Sequence, residues 1–586
     1  MDANRPLQVW APLAERLDLV LVPGGEQPLE PDGDGGFVGP KLAPGIRYRL
    51  RVHGGPGDGR TITDPAAHAL HDGVFGPGQA VDHRAFRWTD ATWDGGRGAD
   101  RRRAVIYELH VGTFTARGTF DGAIARLGHL AELGVTHIEL LPCATFMGRR
   151  GWGYDGVMWW APHHAYGGVV GMKRFVDAAH RKGLAVLLDV VYNHVGPEGD
   201  TTWALWPIKN PEHQTPWGDA INLDGEHSAG IRRLILDNAL GWLRNYHLDG
   251  LRLDAVHALV DDSPVHLLSE LSQAVDELTV ELGRPLWLTA ESEHRTPGEV
   301  QPRDEGGQGL HASWADDLHH SLHTVLTGES SAYYAAYGTP RQVAAALLDP
   351  YQGRPPGSAG DTPGDRFVVC AQNHDQVGNR ARGERLHQLA GTEGAMAAAA
   401  LVICSPQVPL LWMGEEWAAS TPWPFFADPR DPELVEAIRT GRRREFAEFG
   451  WAPEDVPDPV DPATFESAVL RWSEAGEGEH ATVLAFYRRL LALLADHPDL
   501  GAGGSSDTDA QASAEGTVVL RRGRVLVVAH LRPEPAEHEV GAGWKVLAAT
   551  PTAELAGTAV RFPGAGALVL EVELTEAAAA GAQRLP

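Results

Sequence analysis

The sequence predicts an α/β protein built around a (β/α)8 TIM barrel, with an N-terminal β-sandwich domain and a small C-terminal all-β domain. From residue 105 onward, short apolar runs alternate eight times with longer segments of helical pattern. The runs are almost continuously apolar, as expected for parallel strands buried on both faces. Short alternating strands with Gly- and Pro-rich turns precede and follow this region, which predicts β-domains at both ends.

The chain of 586 residues is too long for one core, so several domains are expected. Residues 1–85 predict the N-terminal β-sandwich and residues 86–104 a linker. Residues 105–499 predict the catalytic barrel. The sequence GAGGSSDTDAQASAEG at 500–515 predicts a flexible linker, and residues 516–586 predict the C-terminal β domain.

The eight strands of the barrel are each predicted from an apolar run. They are expected at 105–111, 135–142, 184–194, 249–254, 285–291, 310–317, 366–375 and 408–416. An open doubly wound sheet is the alternative. It would more naturally show a Gly-rich turn after the first strand, and HVGTFTARGTF is not such a turn.

Composition restricts the class of partner. The formal net charge of −28 argues against nucleic acid and against an anionic membrane, since both require basic patches. A neutral substrate fits better, and the 18 Trp residues include candidates for stacking on sugar rings. Three cysteines without close pairs offer neither a disulfide framework nor a zinc site. We expect a cytoplasmic protein, because no signal peptide and no apolar run of ~18 residues is present.

Polar side chains collect at the C-terminal ends of the predicted strands, where barrel enzymes place their chemistry. Asp254 ends the fourth strand, Glu291 the fifth and Asp375 the seventh. Arg252, two residues before Asp254, favours the ionised form of that carboxylate. The third strand adds Asp189 at the same end of the barrel.

Three carboxylates around one pocket suit glycosidic cleavage, which needs one carboxyl group to protonate the leaving oxygen and another to attack the sugar or activate water. Asp254 suits the nucleophile. Glu291 follows the apolar run LWLTA, which predicts a raised pKa suited to the acid. Asp375 would hold ring hydroxyls, with His194 and His374 as hydrogen-bond donors.

Four short segments together resemble the signatures of the α-amylase family of glycoside hydrolases. They are VVYNH with the preceding Asp189, GLRLDAVH, the glutamate that ends strand five, and QNHDQ. The resemblance implies a retaining mechanism with Asp254 as nucleophile, Glu291 as acid/base and Asp375 as transition-state stabiliser. Retention in turn predicts carboxyl groups of Asp254 and Glu291 roughly 5 to 5.5 Å apart. An N-terminal domain like a carbohydrate-binding module also fits the resemblance.

Longer strings resemble one group within this family, namely enzymes that cut the α-1,4 bond next to a terminal trehalose unit. Examples are TPWGDAINLDG, DDLHHSLHTVLTGE and SPQVPLLWMGEEWAASTPWPFFAD. The implied substrate is an α-glucan oligosaccharide with a trehalose end, and the implied working partner is an enzyme that forms such substrates. The candidate substrate-binding residues are Tyr154, His194, Arg252, His257, His374, Asp189, Asp317, Trp423, Phe425, Phe426 and Glu416.

Several alternatives remain open at this point. Asp189 fits a structural partner of Arg252 as well as a substrate ligand, and the aromatic residues near Trp423 fit loop packing as well as a cleft. Strand five continues as LTAESEHR, where the family pattern predicts an acidic residue and an asparagine after the glutamate. A glucan-branching enzyme, a general α-amylase and a non-catalytic sugar-binding relative are the competing functions. The protein is expected to be a monomer or a dimer.

No cofactor and no metal ion are expected, because no oxygen-rich acidic cluster accompanies Asn193, the position that ligates calcium in some family relatives. Treatment with EDTA should therefore leave hydrolytic activity unchanged. The measurement is the initial rate before and after chelation and gel filtration. A loss of activity that added calcium restores would contradict this prediction.

Overall fold

The computed structural model describes residues 5–351, 362–448, 451–452, 455–503 and 508–573. Its centre is a closed barrel of eight parallel strands, in which each strand pairs with the next in the chain and the eighth pairs with the first. The strands, first to eighth, are Ile106–Leu109, His137–Leu140, Ala185–Val190, Gly250–Leu253, Trp287–Ala290, Ala312–Trp314, Phe367–Cys370 and Val408–Trp412. The predicted fold class is confirmed.

The strands are shorter than predicted, because the polar residues at their C-terminal ends leave the hydrogen-bonded ladder. The third strand ends at Val190, so Asn193 and His194 lie in the following loop. After the seventh strand, His374–Gly378 forms a short helix. The side chain of Asn373 caps this helix by accepting hydrogen bonds from the N–H groups of its first turn. The motif QNHD is thus a helix start at the mouth of the barrel.

Helices surround the barrel and connect its strands. The α-helices of the described residues are Val111–Phe114, Phe120–Ile124, Leu127–Leu133, Gly168–His180, Ser228–Asn245, Leu267–Leu282, Asp317–Thr327, Pro340–Leu348, His374–Gly378, Leu386–Ala390, Thr392–Ile403, Pro432–Glu448, Pro462–Ser467 and Gly478–Asp496. The segment after the first strand forms two short helices, Phe120–Ile124 and Leu127–Leu133. The second ends at Gly134, which adopts a left-handed conformation with φ of 105°.

The N-terminal region forms two antiparallel sheets. Its strands are Pro6–Trp10, Arg16–Val22, Glu26–Pro28, Glu30–Pro31, Gly36–Lys41, Arg47–His53, Thr61–Ile62 and Gly78–Gln79. The connector after them packs against the barrel: Trp93 Nε1 donates to Asp249 Oδ1 at 2.7 Å. At its end, Arg103 donates to the carbonyl oxygens of Leu494, His497 and Leu500. The connector is therefore held near its middle and at its C-terminal end.

The C-terminal region forms two antiparallel sheets. Its strands are Thr508–Ala512, Thr517–Arg522, Val525–His530, Ala536–Glu539, Trp544–Ala549, Glu554–Ala556, Ala559–Phe562 and Gly566–Val572. The flexible linker expected at 500–515 is wrong over Thr508–Ala512, which pairs antiparallel with Thr517–Arg522. This edge strand was not predicted because it consists of small and polar residues, which are typical of a low-complexity linker.

Two further strand pairs lie in the loops of the barrel. They are Ala144–Thr145 with Met158–Pro162, and Lys209–Thr215 with Gly218–Ile221. The three cysteines are buried and unpaired. Within the described residues, we found no helix that meets the length and hydrophobicity of a membrane span.

Gly250 tests how tightly the fourth strand is packed. A β-carbon there would lie 2.5 Å from the carbonyl oxygen of Trp287 and 2.8 Å from a methyl group of Leu187. Gly250→Ala should therefore destabilise the barrel by about 1–3 kcal/mol, through overpacking against backbone that cannot move freely. Gly441→Ala, in a helix with open space around it, is the control and should stabilise slightly. Equal unfolding midpoints for the two variants would contradict this reading.

Candidate active site

The guanidinium of Arg252 lies at the centre of the carboxylates and is fully buried. Its Nη1 donates to Asp189 Oδ2 and to Asp254 Oδ1, both at 2.7 Å. Its Nη2 lies 3.0 Å from Glu291 Oε2. The indole of Trp314 covers it, with the guanidinium carbon 4.4 Å from the ring centroid. One cation thus contacts the predicted nucleophile, the predicted acid and the carboxylate of the third strand.

Asp254 directly follows the fourth strand, and both of its carboxylate oxygens are held. Oδ1 accepts from Arg252, and Oδ2 accepts from Asn193 Nδ2 at 2.8 Å. Only 11% of its side chain is exposed. Two fixed donors leave the carboxylate one orientation, which a nucleophile in a retaining glycosidase requires. Asn193 is a residue whose contact with Asp254 the sequence did not predict.

Glu291 follows the fifth strand and faces the same pocket. Its Oε2 accepts from the backbone N–H of Ala255 at 2.7 Å. Burial raises the pKa of Glu291 to about 8, against the lowering effect of Arg252, and the charges of Asp254 and Asp375 add to the rise. A carboxyl group with this pKa keeps its proton at neutral pH, as a general acid must. The rise agrees with the expectation from the apolar run before Glu291.

Ala255 supplies its N–H from a strained backbone. It has φ of 42°, in the left-handed region that residues other than glycine rarely adopt. The N–H of this residue donates to Glu291 Oε2. The site therefore uses one residue after the nucleophile to position the acid.

His374 connects the seventh strand to the first. Its Nδ1 lies 2.5 Å from Glu108 Oε1, and its backbone N–H donates to Glu108 Oε2 at 3.0 Å. Burial lowers the pKa of His374, but the charges of Asp375 and Glu108 raise it further, to about 10. The ring is therefore an imidazolium at neutral pH. Glu108 was missed from the sequence, where a lone acid inside the apolar strand VIYELHV was the available signal.

Tyr154 joins His374 to Asp189. Its hydroxyl donates to Asp189 Oδ2 and lies 2.7 Å from His374 Nε2, while the two rings stack at 5.2 Å. A protonated His374 donates Nε2–H to the phenol oxygen, which leaves the phenol proton for Asp189. Burial raises the pKa of Asp189 to about 6, with Arg252 opposing the rise. The hydrogen bond to Arg252 supports the reading of Asp189 as a structural partner, and a direct role in substrate binding stays a prediction.

Asp375 is the most exposed of the three carboxylates, with 39% of its side chain accessible. Its Oδ1 lies 3.5 Å from His374 Nε2 and accepts from Asn379 Nδ2 at 3.3 Å. Asn379 in turn accepts from the guanidinium of Arg442 at 3.2 Å. Arg442 comes from the helix Pro432–Glu448 and covers the ring of Phe425 at 4.1 Å. No sequence motif pointed to Asn379 or Arg442.

Two predicted histidines lie at the rim. His194 contacts the carbonyl oxygen of Tyr154 through Nε2 at 3.0 Å and stacks on Trp217, which is 48% exposed. His257 is half-buried, and its Nδ1 accepts from the N–H of Glu293 at 3.3 Å. Both remain candidate substrate ligands. Trp217 belongs to the string TPWGDAINLDG, and its exposure at this rim was not predicted.

Four further predicted substrate-binding residues are buried against other protein groups, and their role as substrate ligands stays a prediction. Asp317 is held by Arg295 at 2.6 Å and by the hydroxyl of Tyr337. Glu416 accepts from the hydroxyl of Tyr107 and contacts His129 Nε2 at 2.9 Å. The other two are aromatic. Trp423 stacks on Trp152 and Phe426 packs edge-on against Trp423, with 0% and 1% exposure.

Phe425 differs from its aromatic neighbours. It is only partly buried and lines a cavity of about 160 Å³ together with Phe146, Glu198, Leu434 and Ile438. This cavity lies between the loop that carries Tyr154 and the helix Pro432–Glu448. Phe425 therefore remains a candidate ligand, whereas Trp423 and Phe426 support the site from behind.

Among the described residues, one group brings three possible metal ligands together. It consists of His213, Asp224 and Asp262, with His213 Nε2 at 2.8 Å from Asp224 Oδ2. Asp224 also accepts from the side chain of Asn210 and from the N–H of Asp262. These contacts explain the cluster without an ion.

Comparison with known proteins points to one family. The alpha amylase catalytic-domain model matches residues 82–207. A malto-oligosyltrehalose trehalohydrolase of Arthrobacter ramosus is 45% identical, covering 97% of this chain and all of the relative. The crystal structure of a candidate alpha amylase from Salmonella typhimurium has a TM-score of 0.87 and 38% identity over 97% of each chain. A glucan branching enzyme of Bordetella pertussis is 29% identical over 77% of this chain and 63% of its own length.

Glu108→Gln should destabilise the protein in a pH-dependent way. His374 contributes stability that is complete below its unfolded pKa of 6.5 and is lost as pH rises through about 10, because its folded pKa is raised. Removing the Glu108 charge lowers that folded pKa. The difference in unfolding free energy between wild type and variant should be about 1–3 kcal/mol at neutral pH and shrink toward pH 10.

Chemical unfolding at several pH values measures this difference. Glu277→Gln, on the surface of the helix Leu267–Leu282, is the control and should show no such trend. A difference for Glu108→Gln that stays constant from pH 7 to 10 would show that Glu108 does not act through the charge of His374.

Proposed function

The chain belongs to the malto-oligosyltrehalose trehalohydrolases of the α-amylase family, and we propose that Asp254, Glu291 and Asp375 carry out its reaction. The reaction is hydrolysis of the α-1,4-glucosidic bond next to the terminal trehalose unit, with release of trehalose. The observation that carries the assignment of roles is the Arg252 guanidinium, which contacts Asp254 and Glu291 through its two terminal nitrogens.

In the first step, Glu291 donates its proton to the glycosidic oxygen while Asp254 attacks the anomeric carbon. The carbon–oxygen bond breaks, trehalose leaves, and the remaining glucan is bound to Asp254 as a covalent ester. Proton transfer leaves Glu291 as a carboxylate beside Arg252, 3.0 Å away, and the N–H of Ala255. These donors stabilise the charge that develops on the acid during this step.

In the second step, the Glu291 carboxylate takes a proton from water, whose oxygen attacks the same anomeric carbon. The ester to Asp254 breaks, and the glucan leaves with its configuration retained. Asp375 and the protonated His374 lie beside each other at the mouth of the barrel. A carboxylate and a cationic donor there suit hydrogen bonds to ring hydroxyls in the flattened transition state.

The wider setting of the reaction is also part of the proposal. The catalytic domain spans residues 105–499, and the C-terminal β domain includes Thr508–Ala512 in addition to the predicted 516–586. We place the protein in the cytoplasm, as a monomer or a dimer. There it would act on the product of an enzyme that forms malto-oligosyltrehalose, since its substrate must already carry the trehalose end.

Product analysis tests the function. The protein is given a malto-oligosyltrehalose and, separately, the plain malto-oligosaccharide of equal length. Rapid release of trehalose from the first, with slow cutting of the second, is the expected result, and the oligosaccharide product should appear first as its α-anomer by NMR. Equal cutting of both would indicate a general α-amylase. New α-1,6 linkages with little reducing sugar would indicate a branching enzyme.

Glu291→Gln should lower kcat by about 10²–10⁴-fold while leaving the fold intact, because the general acid is lost. In the wild type, kcat/KM should fall as pH rises through about 8, since the reaction needs the protonated form of Glu291. Rates across this pH range and circular dichroism of both proteins are the measurements. A nearly active variant, or a wild-type profile flat through pH 8, would remove the acid role from Glu291.

A further inference from the structure

A cleft of about 920 Å³ lies on the flank of the barrel, between the N-terminal sheets and the helix Ser228–Asn245. The strand Pro6–Trp10 and the turn at 32–36 form one wall, and the helix forms the other. None of the three catalytic carboxylates lines it. Its volume is within the range of about 300–1,000 Å³ that small-molecule sites occupy. The junction of two domains is a common place for such sites.

Aromatic rings form part of the cleft. Trp88 stacks on His247 with centroids 3.7 Å apart, and Phe86 packs edge-on against Trp88 at 4.8 Å. Both Phe86 and Trp88 are only partly buried, as is Trp10 on the opposite wall. Partly exposed rings that are fixed by their neighbours suit the apolar faces of sugar rings, since little side-chain freedom is lost on binding.

Several charged side chains on the walls of the cleft have no hydrogen-bond partner within the described regions of the protein, so they are free to bind a ligand. Within the part of the chain that the structure describes, the side chains of Asp34, Arg84, Arg233 and Asp237 make no ion pair within 4 Å and no hydrogen bond, although the charge of Arg233 acts on Asp237, and all four are exposed. The complete lining balances arginines against aspartates: Arg5, Arg84, Arg233 and Arg244 with Asp32, Asp34, Asp64 and Asp237. This balance favours a neutral, hydroxyl-rich ligand over an anion or a cation.

One buried polar atom in the lining also lacks a partner. His83 is 6% exposed, and its Nε2 is 2.8 Å from His68 Nδ1. Its Nδ1 is buried and has no hydrogen-bond partner among the described residues. Burial and the nearby Lys173 lower the pKa of His83 to about 3, so the ring is neutral. A buried ring nitrogen without a protein partner is one that an ordered water or a ligand hydroxyl could satisfy.

We propose that this cleft is a second carbohydrate site, which binds an α-glucan chain apart from the one in the barrel. The choice of ligand rests on the proposed function, because a protein that cuts glucan chains meets them at high local concentration. A long substrate that reached both sites would be held more tightly than one that fills the barrel site alone. Short substrates, which fill only the barrel site, would gain nothing from it.

The test uses affinity electrophoresis in gels that contain soluble amylose. Glu291→Gln is the starting protein, so that the glucan is bound without being cut. Arg233→Ser/Asp237→Ser in that background should weaken retention by amylose about tenfold, a loss of about 1.4 kcal/mol. The control is Glu277→Ser/Arg341→Ser, which keeps the same net charge and changes exposed helical residues outside the cleft. It should be retained like the starting protein.

Kinetics of the same substitutions in the active enzyme separate the two sites. The cleft variant should show a raised KM for long malto-oligosyltrehaloses and an unchanged kcat and KM for the shortest one, which also confirms that it is folded. Retention unchanged by the cleft substitutions would overturn the proposal, as would an equal loss in the control. If the wild type released no trehalose, the proposed function would fail, whereas loss of retention in the cleft variant alone would still establish glucan binding.

Discussion

The buried guanidinium of Arg252 is the interaction on which the site depends. It carries one positive charge into a pocket where three carboxyl groups meet, from the third, fourth and fifth strands. Removing one partner from a buried ion pair commonly costs about 3–5 kcal/mol, because the other charge is left uncompensated. Asp254 accepts a direct hydrogen bond from its Nη1, whereas burial and the charges of Asp254 and Asp375 raise the pKa of Glu291 against the lowering effect of the arginine.

Around this cation, the protein uses hydrogen bonds between different strands and loops of the barrel to hold each reacting group. Glu108 on the first strand holds His374 after the seventh, and Tyr154 links His374 to Asp189 on the third. Trp423 and Trp152 pack behind His374. The chemistry thus draws on groups that are far apart in the sequence and become neighbours only because the barrel closes.

The barrel and its carboxylates could be predicted because strands buried on both faces have a simple pattern, and their C-terminal ends point to one place. Glu108 and Asn193 act through contacts that only the closed barrel creates, so their roles could not be predicted. The sequence did show Glu108 as a lone acid inside the apolar first strand. Arg442 and Asn379 gave no signal, because their contact depends on how the helix Pro432–Glu448 folds over the seventh strand. The sequence also did not predict that Trp423, Phe426, Glu416 and Asp317 are buried. Residues next to a cleft in sequence can turn into the core, and aromatic or acidic character alone does not show which way they face.

The contact of Arg103 with the carbonyl oxygens of Leu494, His497 and Leu500 has a consequence for dissecting this molecule. The arginine directly precedes the first barrel strand, and its acceptors lie at and beyond the end of the last long helix. Residues almost four hundred positions apart are thereby fastened together where the polypeptide enters and leaves the barrel. An expression fragment cut at residue 499 would lose one acceptor and leave a partly buried cation short of partners. Domain boundaries for truncation or fusion should therefore be placed beyond Leu500, so that all three acceptors of Arg103 are kept.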